Sequence, residues 1–179
     1  MKVRVAGVDS HLLSHLPRRC RWCLYWEVPA RFRRASPMEG AYRKAHWFER
    51  TSAKFGPCGK VLYADNEPAG YCQYALADCV PGVSRYPELA TCLDPTGVLL
   101  TCLVVKQAYQ RRGLGARLLR EVVDDVTSRG GTSVETFARD DSANNCSGPT
   151  QFYVKQGFAV IASEAFPGGS SFSLVRLHC

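Results

Sequence analysis

Apolar positions along the chain follow two different periods, and the segments they define predict a mixed α/β fold. Apolar or alternating runs predict strands at 1–6, in a hairpin over 60–75, and at 97–105, 133–138, 158–161 and 170–177. A helical period predicts helices over 39–55 and 114–128, each followed by glycine. Several strands flanked by a few helices favour a layered α/β or α+β sandwich.

Less regular segments complete this prediction. We expect Ala41, Ala45, Phe48 and Ala53 on the inward face of the first long helix. Asp9 or Ser10 can cap a short helix that ends before Pro17, and another short helix follows Pro149. The proline- and glycine-bearing stretch 78–95 predicts a long loop.

The segment between the strand at 97–105 and the helix at 114–128 combines glycine with positive charge. It consists of Gln110, Arg111, Arg112, Gly113, Leu114, Gly115 and Ala116. The two glycines let the backbone turn tightly and approach a ligand, while the first N–H groups of the helix, its dipole and two arginines attract an anion. Phosphate is the natural occupant. The P-loop ending is absent, and Leu118 stands where a dinucleotide fingerprint needs its third glycine.

A second segment makes a family resemblance specific. The turn resembles the Gln/Arg-x-x-Gly-x-Gly/Ala motif of the GNAT superfamily, the acetyl-CoA-dependent N-acetyltransferases. Residues 151–158, which read QFYVKQGF, resemble the Phe-Tyr-x-x-x-Gly-Phe segment near the end of GNAT domains. Gly157 would cap the short helix that contains Tyr153. The hairpin over 60–75 resembles the family's central hairpin, so the resemblance covers roughly residues 58–177.

The resemblance implies the fold and the domain organisation. We expect a GNAT-like mixed, largely antiparallel central sheet, with helices on both faces and splayed central strands. One domain would span 1–179, with 1–57 on the acceptor side and 58–179 as the coenzyme-binding core. A length of 179 residues suits one domain.

The resemblance also implies acetyl-CoA as co-substrate and assigns residues to it. The turn at 110–116 would grip the pyrophosphate, and the backbone of Leu103, Val104 and Val105 would pair with the pantetheine arm. Many family members place Asn at the start of the helix that carries the tyrosine. The spacing here puts Cys146 at that point, with Asn145 just upstream as the candidate contact to the coenzyme.

Catalytic roles follow from the same resemblance. Tyr153 matches the family tyrosine that donates a proton to the coenzyme thiolate, and a phenol with a pKa of about 10 can donate at neutral pH. An alkyl amine, with a pKa of about 10.4, must first lose a proton. Many family members use a glutamate on the strand before the turn, and 97–105 contains none. The remaining candidates for the group that removes the proton from the amine are Glu27, Glu135 and a water relay.

Charge and composition limit the partners. The net charge is +7, and residues 1–60 carry 13 Lys and Arg against 4 Asp and Glu. A basic segment with aromatics can bind nucleic acid, an acidic acceptor or the phosphates of coenzyme A, but a solvated basic face is the simplest interpretation, so no nucleic-acid partner is expected. No apolar run is long enough to span a bilayer and the N-terminus lacks a signal-peptide pattern, so we expect a cytoplasmic protein without a membrane partner.

Nine cysteines without an export signal favour free thiols over disulfides. Cys20, Cys23 and Cys58 can supply three thiolates for zinc, but a single Cys-x-x-Cys is a weak metal signal. We therefore expect no metal and interpret these residues as packed thiols.

The resemblance to the GNAT superfamily therefore implies an N-acetyltransferase that transfers an acetyl group to a primary amine by direct attack on the thioester. The acceptor stays open among a small amine, an aminoglycoside, a protein N-terminus and a lysine, and the sequence allows a homodimer. The alternative is a non-catalytic acyl-CoA-binding or nucleic-acid-binding module on the same fold. The missing glutamate between 97 and 105 favours that alternative modestly.

Overall fold

A computed structural model describes residues 1–8, 12–32, 35–140, 146–166 and 168–179. The strands within these ranges are β1 (Val3–Gly7), β2 (Gly59–Ala64), β3 (Glu67–Leu76), β4 (Val98–Val105), β5 (Ser133–Arg139), β6 (Ala159–Ala165) and β7 (Ser171–His178). The helices are α1 (Pro37–Phe55), α2 (Pro87–Ala90), α3 (Leu114–Ser128) and α4 (Thr150–Val154). Short 3-10 turns occupy Leu12–His15, Ala77–Cys79, Pro81–Arg85 and Gln107–Tyr109.

The strands form one open sheet in the order β1-β2-β3-β4-β5-β7-β6. Every neighbouring pair is antiparallel except β4 and β5, which are parallel. These two strands pair only at Val98 with Val134 and at Leu99 with Glu135, and then diverge. The prediction of a largely antiparallel sheet with splayed central strands is therefore confirmed.

Each face of the sheet carries its own hydrophobic core. One core contains Trp47 and Phe48 of α1, together with Tyr71 and Phe137 from the strands. The other core contains the apolar side of α3, with Leu118 as one of its fully buried members. Helices thus cover both faces, as predicted, and the bounds of α3 match those predicted from its period.

Helix α1 begins where the sequence supplies a cap. The Ser36 side chain accepts a hydrogen bond of 3.2 Å from the Glu39 N–H, and Pro37 occupies the first turn, where its missing N–H costs nothing. The buried positions are Gly40, Lys44, Trp47, Phe48 and Thr51.

The predicted inward face of α1 was wrong at two positions. Ala41 and Ala53 are exposed, whereas Phe48 is buried and Ala45 is half-buried. The buried face instead includes Lys44, because its charge is neutralised inside the protein by Glu27 from another segment. A hydrophobic period cannot reveal a buried charge whose partner lies far away in the chain.

The stretch 78–95, predicted as a long loop, forms two 3-10 turns and helix α2. Val80, Tyr86 and Leu89 from this stretch are buried, and the Tyr86 ring stacks on Phe137 at 4.9 Å between centroids. Packing of these side chains stabilises a path that prolines and glycines alone do not specify. In the described parts of the chain, no helix has the length and apolar character needed to cross a bilayer.

Candidate coenzyme and acceptor site

The turn at 110–116 leads from the end of β4 into α3 through two residues with left-handed backbone. Arg111 has a φ of 59° and Gly113 a φ of 77°. The Gln110 side chain donates a 2.9 Å hydrogen bond to the Val105 carbonyl, which ties the turn to the end of β4. Since a non-glycine residue rarely adopts positive φ, the conformation of Arg111 marks a strained position of the kind found at ligand sites.

The beginning of α3 presents backbone donors to this turn. The first helical bond joins the Arg117 N–H to the Gly113 carbonyl at 3.0 Å. The N–H groups of Leu114, Gly115 and Ala116 precede that bond and, as in any helix, have no intrahelical acceptor. A cleft of about 310 Å³ opens here, and it is lined by the turn, Val105 and the Phe152 ring. The arrangement suits a phosphate group.

Gly115 sits where a small residue keeps the cleft open. A Cβ atom at this position would lie 3.6 Å from the Phe152 ring and 3.9 Å from Val105, which are ordinary contacts. An alanine therefore fits, whereas a large side chain would project into the cleft.

The gap between β4 and β5 is bridged by the segment Cys146–Gly148. The Leu103 N–H donates to the Cys146 carbonyl at 2.8 Å, and the Arg139 N–H donates to the Gly148 carbonyl at 2.9 Å. The Tyr153 hydroxyl donates to the Ser147 carbonyl between them. Leu103, predicted to pair with the coenzyme, thus pairs with the protein itself, whereas Val104 and Val105 extend along β4 to the turn.

Tyr153 lies in the core beneath this segment. Its side chain is fully buried against Phe158, and burial raises the pKa of its phenol, so the hydroxyl keeps its proton at neutral pH. Gly157 has a φ of 91° and its N–H bonds to the Val154 carbonyl at 3.0 Å, so it ends α4 as predicted.

Glu27 belongs to a buried polar network. Its carboxylate pairs with Lys44, accepts a 2.9 Å hydrogen bond from the Gln73 side chain, and accepts the Trp26 N–H at 3.2 Å. The Tyr71 hydroxyl donates to Gln73. Burial alone would lower the pKa of Lys44, but the attraction of Glu27 outweighs it and the pKa is raised, so Lys44 keeps its positive charge at neutral pH.

Glu135 is also engaged in an ion pair. One oxygen accepts a 2.7 Å bond from Arg176, and the other accepts the Asp94 N–H at 3.0 Å. Burial raises the pKa of Glu135, and the Arg176 charge opposes that shift. Glu135 lies at the point where β4 and β5 are still paired.

Thiols gather beside the diverging strands. The Cys20 thiol hydrogen-bonds to Cys146, and this bond, with the charges of Lys44 and Arg19, lowers the pKa of Cys146 to about 7. Cys58 instead contacts the Ser52 hydroxyl at 3.4 Å. All nine cysteines are free, and the described residues contain no group of three His, Cys, Asp or Glu side chains able to hold a metal. The metal-free state itself stays a prediction, and elemental analysis for zinc tests it. Asn145 falls outside the described residues.

Two clefts share Val28 in their linings and involve mainly residues 1–57, the part of the chain predicted to face the acceptor. One, of about 560 Å³, is lined by Arg19, Trp22, Tyr25, Phe32 and Arg85 among others. The other, of about 510 Å³, includes Glu27, Glu39, Arg43, His46 and Arg50. Sequence reasoning found the basic, aromatic character of 18–34 but missed Lys44, Gln73 and Arg85, because each acts through contacts with distant parts of the chain.

Solved structures with this fold are numerous. The PaiA N-acetyltransferase from Thermoplasma acidophilum, solved in complex with coenzyme A, is 14% identical, with a TM-score of 0.63 over 100% of both chains. A polyamine N-acetyltransferase from Drosophila melanogaster is 14% identical, with a TM-score of 0.65 over 99% of this chain and 100% of its own. The ribosomal-protein-S18-alanine N-acetyltransferase from Escherichia coli is 15% identical, with a TM-score of 0.62 over 99% of this chain and 94% of its own. Among curated proteins, none matches this sequence.

A family model identifies the chain more directly than these distant structures do. The model of the acetyltransferase (GNAT) family matches residues 22–158, which is well over half of the sequence. The matched range contains both the basic turn and Tyr153, and the sheet shows the splayed strands predicted from the resemblance. The chain therefore belongs to the GNAT acetyltransferase family.

Proposed function

We propose that this protein is an acetyl-CoA-dependent N-acetyltransferase that acts on a primary amine. The observation that carries the proposal is the position of the anion-binding turn, at the end of the strand that separates from its parallel neighbour. Residues 58–179 would form the coenzyme-binding core, and residues 1–57 would supply most of the acceptor side.

The residues at the turn suit coenzyme A. Three backbone N–H groups at the beginning of α3 and the charge of Arg111 complement a pyrophosphate, and Gln110 holds the turn to β4. Phe152 and Tyr109 line the same cleft and offer apolar surface. Arg112 lies 6.0 Å from the Tyr109 ring, so a second positive charge lies beside the cleft. The coenzyme would supply the acetyl thioester.

Residues of β4 and α4 would act on the reacting end. We infer that the Leu103 N–H polarises the thioester carbonyl and that Tyr153 protonates the departing thiolate. Both groups now bond to the segment Cys146–Gly148. Pairing of the pantetheine arm with Leu103 therefore requires this segment to move away from β4, which would also free the Tyr153 hydroxyl.

The proton of the amine has three candidate acceptors. Glu27 is the first, because it lines an acceptor-side cleft. Glu135 is second, because Arg176 and the Asp94 N–H occupy both of its oxygens. Water is the third. The pH dependence of kcat/KM for Glu27→Gln and Glu135→Gln distinguishes them, since only loss of the true base removes the rising limb of the profile.

Release of free thiol from acetyl-CoA in the presence of a panel of amines tests the proposed function. We expect release that depends on an amine, with an acetylated product of matching mass. Omission of the amine is the control. Tight coenzyme binding with no release on any amine would instead support the non-catalytic acyl-CoA-binding module.

A further inference from the structure

We propose that the cleft lined by Arg19 and Arg85 selects an amine that carries a carboxylate close to the reacting nitrogen. This inference rests on the proposed function and names the class of acceptor. It excludes polycationic amines as preferred substrates. The acidic group can belong to a free amino acid or to the first residues of a peptide.

The cleft is cationic, with aromatic walls. Among the described residues that line it there is no Asp or Glu. Arg85 donates to the Val28 carbonyl at 2.8 Å and lies 4.6 Å over the Tyr25 ring, so its charge is fixed in position without a carboxylate partner. Arg19 makes no ion pair with any carboxylate in the described part of the chain. Two such charges favour an anionic ligand.

The walls of this cleft are held rigidly. The Tyr25 hydroxyl bonds to the Tyr86 hydroxyl at 2.6 Å, and Tyr86 is buried in the core. Gly40 of α1 packs closely against Trp22. A rigid cationic cleft discriminates between ligands better than mobile surface arginines, because less entropy is lost on binding.

The cleft adjoins the point where acetyl transfer would occur. The cleft residue Tyr25 bonds to the Tyr86 hydroxyl, and the Tyr86 ring stacks on Phe137 at 4.9 Å between centroids. Phe137 lies on β5 beyond the residues that pair with β4, where the two strands have separated. Lining residues of the cleft therefore lie close to the backbone that we assign to the thioester.

The neighbouring cleft has a different charge balance. Glu39 and Arg43 form an ion pair at 2.8 Å there, and the Glu27 carboxylate is neutralised by Lys44. Arg50 also lines this neighbouring cleft and has no ion pair among the described residues, but two carboxylates share its lining. The cleft on the Arg19 side has two arginines and no carboxylate among its described lining residues, so it carries more uncompensated positive charge. A volume of about 560 Å³ accommodates two or three residues of a peptide as readily as a free amino acid.

This proposal is tested with three C-terminally amidated peptides that share an N-terminal alanine and differ in the two residues after it: Ala-Asp-Glu, Ala-Ser-Gln and Ala-Lys-Arg. Free glutamate tests whether the acidic group belongs to a free amino acid. Spermidine tests whether polycationic amines are poor substrates. Thiol release from acetyl-CoA should give a kcat/KM at least about tenfold higher for the acidic than for the basic peptide. The ratio should be larger at about 0.01 M ionic strength than at about 1 M, where the electrostatic range falls from about 30 Å to about 3 Å.

Two charge reversals locate the effect. Arg19→Glu should remove the preference for the acidic peptide, whereas Arg18→Glu, at an exposed neighbour outside the cleft lining, should change it by less than about threefold. Arg19→Gln serves as the milder variant, and its preference should fall between those of the wild type and Arg19→Glu.

The outcomes separate this inference from the proposed function. Acetylation of the three peptides with equal kcat/KM, or faster acetylation of the basic peptide or spermidine, would overturn the acidic-acceptor assignment and leave the acetyltransferase intact. Equal effects of the two charge reversals would overturn the role of the cleft. Absence of transfer to every amine would overturn both proposals. A faster reaction with glutamate than with Ala-Asp-Glu would show that the preferred acceptor is a free amino acid.

Discussion

The basic turn at 110–116 and the network around Lys44 both contain positively charged side chains, but these lie in opposite environments. The turn is contiguous in sequence, its residues 110–113 are exposed to solvent, and it presents backbone N–H groups beside the strained backbone of Arg111. The network is buried, with Glu27 at the edge of a cleft, and it joins Glu27, Lys44 and the β3 residues Tyr71 and Gln73 from three segments of the chain. The turn can bind a ligand, whereas the charges of the network are already satisfied by the protein.

Because the turn is exposed and the network is buried, substitutions in the two regions should change different measured quantities. A buried ion pair leaves an uncompensated charge when one partner is removed, while exposed charge at a turn contributes little to folding. Changes in the network should therefore act on the free energy of unfolding, and changes in the turn should act on coenzyme affinity.

The largest effect is expected for Lys44→Met. The variant leaves the Glu27 carboxylate buried without its counter-charge and should lose about 3–5 kcal/mol in the free energy of unfolding, measured by urea denaturation. Lys54→Met, which breaks an exposed pair with Asp78, is the matched control and should leave the midpoint of urea denaturation almost unchanged. The double variant Glu27→Leu, Lys44→Met should regain most of the stability that Lys44→Met loses. Equal losses of stability in Lys44→Met and Lys54→Met would contradict the distinction between buried and exposed charge.

A smaller effect, at least about tenfold in single-turnover rate, is expected for Tyr153→Phe, because the variant removes the proposed acid and keeps the ring. Coenzyme affinity should change little. Tyr74→Phe is the matched control, since it also loses one hydrogen bond from a buried hydroxyl, to Asp125 at 2.9 Å. Both should lose about 1 kcal/mol of stability. A folded Tyr153→Phe enzyme with full single-turnover activity would show that Tyr153 only packs in the core.

Arg111→Gly should weaken coenzyme binding by about tenfold without loss of stability, since glycine adopts a φ of 59° without steric cost. Asn66→Gly, at a φ of 72° in the β2–β3 turn, is the control and should leave coenzyme affinity unchanged. Calorimetric titration and thermal melting measure the two quantities. A loss of melting temperature in Arg111→Gly with unchanged affinity would show that the arginine serves the fold instead.

The subtlest effect concerns the Cys146 thiol. Because its pKa is lowered to about 7, chiefly by the hydrogen bond from Cys20, its thiolate should form as the pH rises through about 7. Iodoacetamide should therefore modify Cys146 about tenfold faster than the exposed Cys92 at neutral pH. Cys20→Ala, which removes the hydrogen-bond donor, should shift that reactivity to higher pH. Peptide mass spectrometry over a pH series gives both rates, and equal rates at neutral pH would exclude the shifted thiol.

The parts of the molecule that the sequence predicted well are those with local signals. Both ends of α3 follow from an apolar period bounded by glycine and a basic turn, and the hairpin follows from two β-rich runs around Asp65 and Asn66. The buried face of α1 depended on Glu27, and the path of 78–95 depended on packing against Phe137. Such long-range contacts have no local pattern, so the contacts within residues 1–57 and 78–95 could not be predicted from the sequence.

Calorimetric titration of two Gly115 variants with acetyl-CoA tests whether the turn at 110–116 binds coenzyme A. Gly115→Ala adds only a methyl group at 3.6 Å from Phe152 and should bind acetyl-CoA within about threefold of the wild type. Gly115→Trp fills the cleft of about 310 Å³ and should reduce the affinity at least about 100-fold, with the melting temperature as the control for folding. A folded Gly115→Trp variant that binds acetyl-CoA as tightly as the wild type would contradict the assignment of this turn.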